Sequence, residues 1–229
     1  MENSISPTQP EADVKDIIMR LHNAGAKLVP GGSAYIVLMS IVVTTSLDKR
    51  KKVWLESIAS GLIELKQKFH NFEFENLNEN ENFVTAFMHA SQSALRNHQR
   101  EKLEALKNAV LNSVTTSAPN DDLQLIFINN IDKMTQWHLR ILQFYHDPSK
   151  YVSETTELIQ FKRIENVLLE TFTNLKGMKS FYSKVVQDLG SVGLVHSMAL
   201  ESGSLALLES QTTDLGKQFL DFVSSPIDT

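Results

Sequence analysis

The sequence predicts a mainly α protein, with an N-terminal helical bundle followed by a small mixed α+β module. Three observations carry this. Apolar residues recur at three- and four-residue spacing over most of the 229 positions, the period of helices with one buried face. The breaks between these stripes are mostly short and rich in Ser, Thr, Asn, Asp, Gly and Pro, as in bundles. Only near the end does the period change: LVHSMAL (194–200) and SLALLES (204–210) flank Glu201-Ser202-Gly203-Ser204, which reads as a hairpin turn between two short strands. The expected division is a disordered tail over 1–12, a helical bundle over 13–118, a connecting helix over 119–134 and the α+β module over 135–224.

The helix signals are clearest from Pro119 to Pro148. Pro119-Asn120-Asp121-Asp122 is a helix start, with short polar side chains to accept the first free N–H groups and two acids at the positive end of the dipole. Leu123, Ile126, Phe127, Ile131 and Met134 form the following stripe. Thr135 is a second N-cap, so the chain turns and restarts. Trp137, Leu139, Ile141, Leu142 and Tyr145 then make a helix apolar over much of its girth, stopped by Asp147-Pro148.

Upstream, a short helix is expected from about Pro10 to Asn23, with Val14, Ile17, Ile18 and Leu21 on one face. Ala34–Val43 is apolar on every side and reads as a buried helix packed against the helices of Trp54 and Phe87. Lys49-Arg50-Lys51-Lys52 precedes an amphipathic helix on Trp54, Leu55, Ile58, Leu62, Leu65 and Phe69. After an Asn/Glu-rich loop, one long helix is expected from about Glu81 to Ser113, with Phe83, Phe87, Leu95, Leu103, Leu106, Val110 and Leu111 inward. Downstream, helices are expected over Glu157–Asn174 (Ile164, Leu168, Phe172), over Ser180–Leu189, broken by Gly190-Ser191-Val192-Gly193, and after Thr212 or Thr213 on Leu215, Phe219, Leu220 and Phe222.

Composition narrows the chemistry. A net charge of −5 argues against a dominant polyanion-binding role. The absence of cysteine removes disulfides, thiolate metal sites and cysteine nucleophiles together and fits a reducing cytoplasm. MENSISPTQPE has no basic start followed by an apolar core, and no apolar run approaches the roughly 20 residues that span a bilayer.

His22, His70, His89, His98, His138, His146 and His196 make no H-E-x-x-H or Glu-x-x-His motif, and surface roles are expected for them. His98 and Glu101 share a predicted helix face but lack further metal ligands. Gly25, Gly31 and Gly32 near Lys27 lack the G-K-[ST] of a P-loop, and neither GGSAY nor GSVG is a nucleophile elbow. No catalytic, cofactor-binding or metal-binding residue is assigned, and no cofactor or small-molecule ligand is expected.

The order helix, helix, helix, two-stranded wing, helix, with the phrases QDLGSVGLV (187–195) and TTDLGKQFLDF (212–222), resembles bacterial winged-helix modules. Thr135–Tyr145 would be the first helix and Ser180–Leu189 the one in the recognition position. The resemblance implies a module that binds DNA or packs on another protein. Residues 135–229 hold eight Lys or Arg and eleven Asp or Glu, and residues 196–210 hold two Glu and no Lys or Arg, so a protein surface is the expected partner. The recognition segment offers Lys184 and Gln187, with Lys179 before them and Asp188 opposed, and Phe181 and Tyr182 are its candidates for packing. Over most of the chain, the order of an apolar Gly-led segment, KRKK (49–52), a helical body and a closing TDLGKQF (213–219) resembles the abortive-infection alpha (Abi-alpha) type of bacterial helical proteins. That resemblance implies a link to phage defence and brings no catalytic residues. Arg140 and His146 match the Arg-x(5)-His spacing of HEPN-type ribonucleases, with Ile141 where that family carries a polar residue.

The expected function is therefore a non-enzymatic, cytoplasmic, bacterial interaction or effector protein that binds a protein partner or itself. Nucleic acid is disfavoured, and transient membrane contact through residues 34–52, where an apolar run meets a basic cluster, is a secondary expectation. The rivals are a winged-helix transcriptional regulator and a ribonuclease using Arg140 and His146.

Overall fold

The computed structural model describes residues 46–69, 77, 79–152, 163–196 and 209–227. The helices expected over Pro10–Asn23 and Ala34–Val43, the first part of the one over Glu157–Asn174, and residues 197–208, which hold the turn and most of both arms of the hairpin, lie outside them. The described residues form eight α-helices: α1 Ser46–Lys68, α2 Glu81–Arg96, α3 Arg100–Asn112, α4 Asp121–Lys133, α5 Gln136–His146, α6 Ile164–Thr171, α7 Lys179–Ser191 and α8 Asp214–Val223. Short 3₁₀ turns follow α5 (Pro148–Tyr151) and α6 (Thr173–Leu175). The chain separates into two compact units. Of the described residues, one unit contains those up to Asn97, Leu106–Leu125 and those from Ser225 onward; the other contains His98–Ala105 and those between Ile126 and Ser224.

In the N-terminal unit, α1 buries Trp54, Leu55, Ile58, Leu62 and Leu65, the face its spacing predicts. The helix begins earlier than expected and takes the basic cluster into its first turns, where Asp48 supplies the acid that the positive end of the dipole favours. Phe69 is 43% exposed, because it lies one residue beyond the helix and so leaves the buried face. Trp54 Nε1 donates to Ser91 Oγ on α2 at 2.8 Å, so the indole is buried without leaving its N–H unpaired. Asn80 caps α2, its Oδ1 accepting the N–H of Phe83 at 3.0 Å.

The long helix expected over 81–113 is two helices. Asn97 divides them: its backbone N–H donates to Ala94 O at 3.1 Å and its side-chain amide to Ser93 O at 2.7 Å, taking carbonyls that a continuing helix would use. Leu95 and Leu103 are only half-buried, while Ala86, Ala90, Ala94 and Ala109 are buried.

From α4 onward the caps follow the sequence closely. Asn120 accepts the N–H of Leu123 at 3.0 Å, and Asp147 ends α5. The buried face of α4 is rotated from the expected stripe: Phe127, Ile128 and Ile131 are buried and Ile126 is 47% exposed. Phe127 meets Phe219 edge-to-face at 5.3 Å and Phe222 at 5.8 Å, so α8 supplies the rings that select this face. Helix α7 runs through Gly190 and ends before Gly193, whose φ of 73° only glycine adopts without strain.

No strand forms among the described residues; Val195 and Thr212 make one isolated antiparallel bridge. His196 N–H donates to Gln211 O and Thr213 N–H to Leu194 O, both at 3.1 Å, which brackets Val195 and Thr212 as a non-hydrogen-bonded pair. The described fold is thus mainly helical, and the α+β character expected of 135–224 reduces there to this bridge. Helix α8 starts against it. Thr213 Oγ1 accepts the N–H of Gly216 at 2.9 Å and donates to Gly193 O at 2.5 Å. A Cβ on Gly216 would stand 2.0 Å from Leu194 O, so only glycine fits.

Candidate interaction face

The start of α5 is the most elaborately held part of the C-terminal unit. Residues 98–105 grip it and the preceding turn with three side chains. Gln99 Oε1 accepts the N–H of Gln136 at 3.2 Å. Glu101 pairs with Arg140. Lys102, only 4% exposed, donates to Asp132 O at 2.6 Å in the last turn of α4, where the dipole favours a cation. His98 lies in the break between α2 and α3, so it does not share a helix face with Glu101 as the sequence implied. The Arg140 hydrogen bond holds the Glu101 carboxyl below its ordinary range.

Arg140 also lies 5.2 Å from the centre of the Trp137 ring, a cation–π contact. Trp137 is half-buried and meets Phe172 and Phe181 edge-to-face at 5.6 and 6.5 Å. Phe172 continues to Phe144 and Tyr151, each 6.3 Å away. Phe144 is buried, Phe172 and Phe181 are half-buried, Tyr151 is 36% exposed and Met178 is 45% exposed. The product is a row of partly exposed aromatic rings across α5, the end of α6 and the start of α7, and the exposed Met178 is the N-cap residue of α7.

Arg140 and His146 do not converge. Six residues apart on one helix, they are separated by about 9 Å along the axis and about 120° around it. Arg140 is engaged by Glu101 and Trp137, whereas His146 Nδ1 lies 3.3 Å from Thr212 Oγ1.

Helix α7 presents little free positive charge. Lys179 pairs with Glu165 at 3.3 Å, and Lys184 pairs with Asp188. Tyr182 is not a packing residue for a partner: it is 3% exposed, and its hydroxyl donates to Glu165 Oε1 at 2.6 Å. Burial first, then that carboxylate, push the Tyr182 hydroxyl up to about 12, and the same bond holds the Glu165 carboxyl low. Tyr145 is fully buried, and its hydroxyl has no hydrogen-bond partner. No group of three or more His, Asp or Glu side chains is arranged to hold a metal ion among the described residues, and no described helix is long and apolar enough to cross a membrane.

Sequence reasoning missed two members of this region. His138 and Lys102 are buried although the first was expected on a surface and the second drew no notice. A signal existed for His138, three residues after the N-cap Thr135, where a capping-box acceptor belongs. Compared with known families, curated proteins and solved structures, the chain matches none.

Proposed function

We propose that this chain is a non-enzymatic interaction protein that binds another protein surface, a second copy of itself first among the candidates, through the aromatic row of its C-terminal unit. The observation that carries this reading is the partly exposed row Trp137, Phe172, Phe181 and Tyr151, with the exposed Met178 three residues before Phe181 at the start of α7. Aromatic residues and Met are the side chains that protein interfaces favour, because they bring much area for little lost conformational freedom. The module that holds the row is winged-helix-like. Two features support that: the antiparallel Val195–Thr212 pair where the wing would begin and end, and the N–H of Gln211 donating to Tyr145 O at 2.8 Å, which ties the returning arm to the end of the first helix. The resemblance to Abi-alpha proteins makes a bacterial effector linked to phage defence the biological setting to test first.

The test is sedimentation of the full chain over a range of concentrations, beside Met178→Asp. That position is exposed, so the substitution leaves the melting temperature unchanged and lowers self-association at least tenfold, about 1.4 kcal/mol of interface energy. A chain that remains monomeric throughout, or a Met178→Asp variant that associates like its parent, removes self-association through this face. DNA-shift and RNA-cleavage assays on the same preparations distinguish the rivals. Salt-sensitive DNA binding abolished by Lys184→Glu would make the module a regulator. RNA cleavage lost with both Arg140→Ala and His146→Ala would make it a ribonuclease.

A further inference from the structure

The ring of His138 joins two helices in a way open only to a neutral imidazole. Its Nδ1 accepts the backbone N–H of Thr135 at 3.1 Å, the reciprocal bond of a capping box that Glu or Gln usually makes. Thr135 Oγ1 lies 3.0 Å from the same nitrogen. On the other side of the ring, Nε2 is 3.6 Å from Asp188 Oδ2 on α7. A nitrogen that accepts an N–H carries no proton, so the neutral ring holds its proton on Nε2, towards the carboxylate.

We propose that His138 is an acid-sensitive latch. A proton gained at Nδ1 turns the cap acceptor into a second donor, leaves the Thr135 N–H without its partner, and draws the now cationic ring towards Asp188. The start of α5 loosens while its attachment to α7 tightens. The charged groups facing the ring are Asp188 and Lys184 from α7 and Lys102 from α3, with Thr135 from its own turn. Asp188 is shared with Lys184, which reduces its pull on the ring.

Burial is the largest influence on the imidazole and lowers it from the ordinary 6.5; Asp188 opposes this, and Lys184 and Lys102 add to it. The latch is therefore closed at neutral pH. The sign follows from linkage. Below about pH 6.5 the unfolded chain takes up this proton before the folded one does, so the stability that the neutral ring contributes is complete above that value and declines as pH falls towards the lower folded value. The carboxyls of Glu101, Glu165 and Asp188 are also held low in the fold, and their contributions decline only below their ordinary values of 4.5 and 3.8. The two windows are distinct.

The test is an NMR titration of the full chain from about pH 7.5 to about pH 5, across the histidine range. The His138 ring and the Thr135 amide should titrate on one curve with a midpoint below 6.5, and exchange protection of that amide should fall along it. His138→Gln keeps an acceptor for the cap but cannot titrate, so its Thr135 amide should stay flat, and its melting temperature should fall less than the parent's over the same range. If the variant does not fold, the parent's ring and amide curves decide alone. A His138 midpoint at or above 6.5, a Thr135 amide indifferent to the ring, or a folded Gln variant that loses as much melting temperature as its parent would overturn the latch.

Discussion

In the N-terminal unit small residues bring helices together. Ala86, Ala90 and Ala94 line the buried face of α2, and Gly61 lets Leu111 approach so closely that an added Cβ would stand 2.5 Å from its Cδ1. In the C-terminal unit rings fill the interior: Phe127, Phe144, Tyr145, Phe219 and Phe222 are fully buried, and backbone joins are held by Thr213, Gln211, Gln99 and Lys102. The contrast teaches where each unit is vulnerable. Side chains that meet side chains can shift by rotamer, but backbone held against backbone cannot.

The largest expected effect tests that contrast directly. Gly216→Ala forces a methyl onto the Leu194 carbonyl, which already accepts the Thr213 N–H, and should cost about 3 kcal/mol. Gly61→Ala meets only the end of a leucine and gains helix propensity, so it should cost about 1 kcal/mol. The chain has two tryptophans, Trp54 in one unit and Trp137 in the other, so urea unfolding read in Trp54→Phe and Trp137→Phe backgrounds assigns each loss to its unit. Equal losses at the two glycines would dissolve the distinction.

A second pair sharpens the account of the ring-filled core. Tyr182→Phe removes the donor to Glu165 and should cost about 1 kcal/mol. Tyr145→Phe removes a buried hydroxyl that has no partner and should be neutral or stabilising by up to about 1 kcal/mol. Urea midpoints of the two variants, moving in the same direction by the same amount, would contradict this. The smallest effect is expected at Glu101→Gln: its bond to Arg140 is more than a third exposed, and a loss of at most about 0.5 kcal/mol at moderate salt is anticipated. A loss well above that would make the pair a structural anchor of α5.

Much of the helical framework was legible because its signals are local. Thr135 and Thr213 are N-caps, Asn120 closes its cap on Leu123, and the stripe from Trp54 to Leu65 is buried as its spacing requires. The break at Asn97 was missed because the apolar pattern continues across it, whereas the side-chain bond that stops the helix leaves no mark on that pattern.

Local sequence suffices for the starts of α2, α4, α5, α7 and α8, and for much of the pattern of apolar faces. Those properties depend on neighbours a few positions apart. That α4 turns Ile126 outward follows from long-range packing, because Phe219 and Phe222 arrive from a helix about ninety residues away. The tertiary structure likewise decided that His138 is a buried cap, that Tyr182 belongs to the core, and that Arg140 lies on Trp137 with Glu101 as its partner. Each of these depends on side chains distant in the chain, so its energy appears only when the fold brings them together.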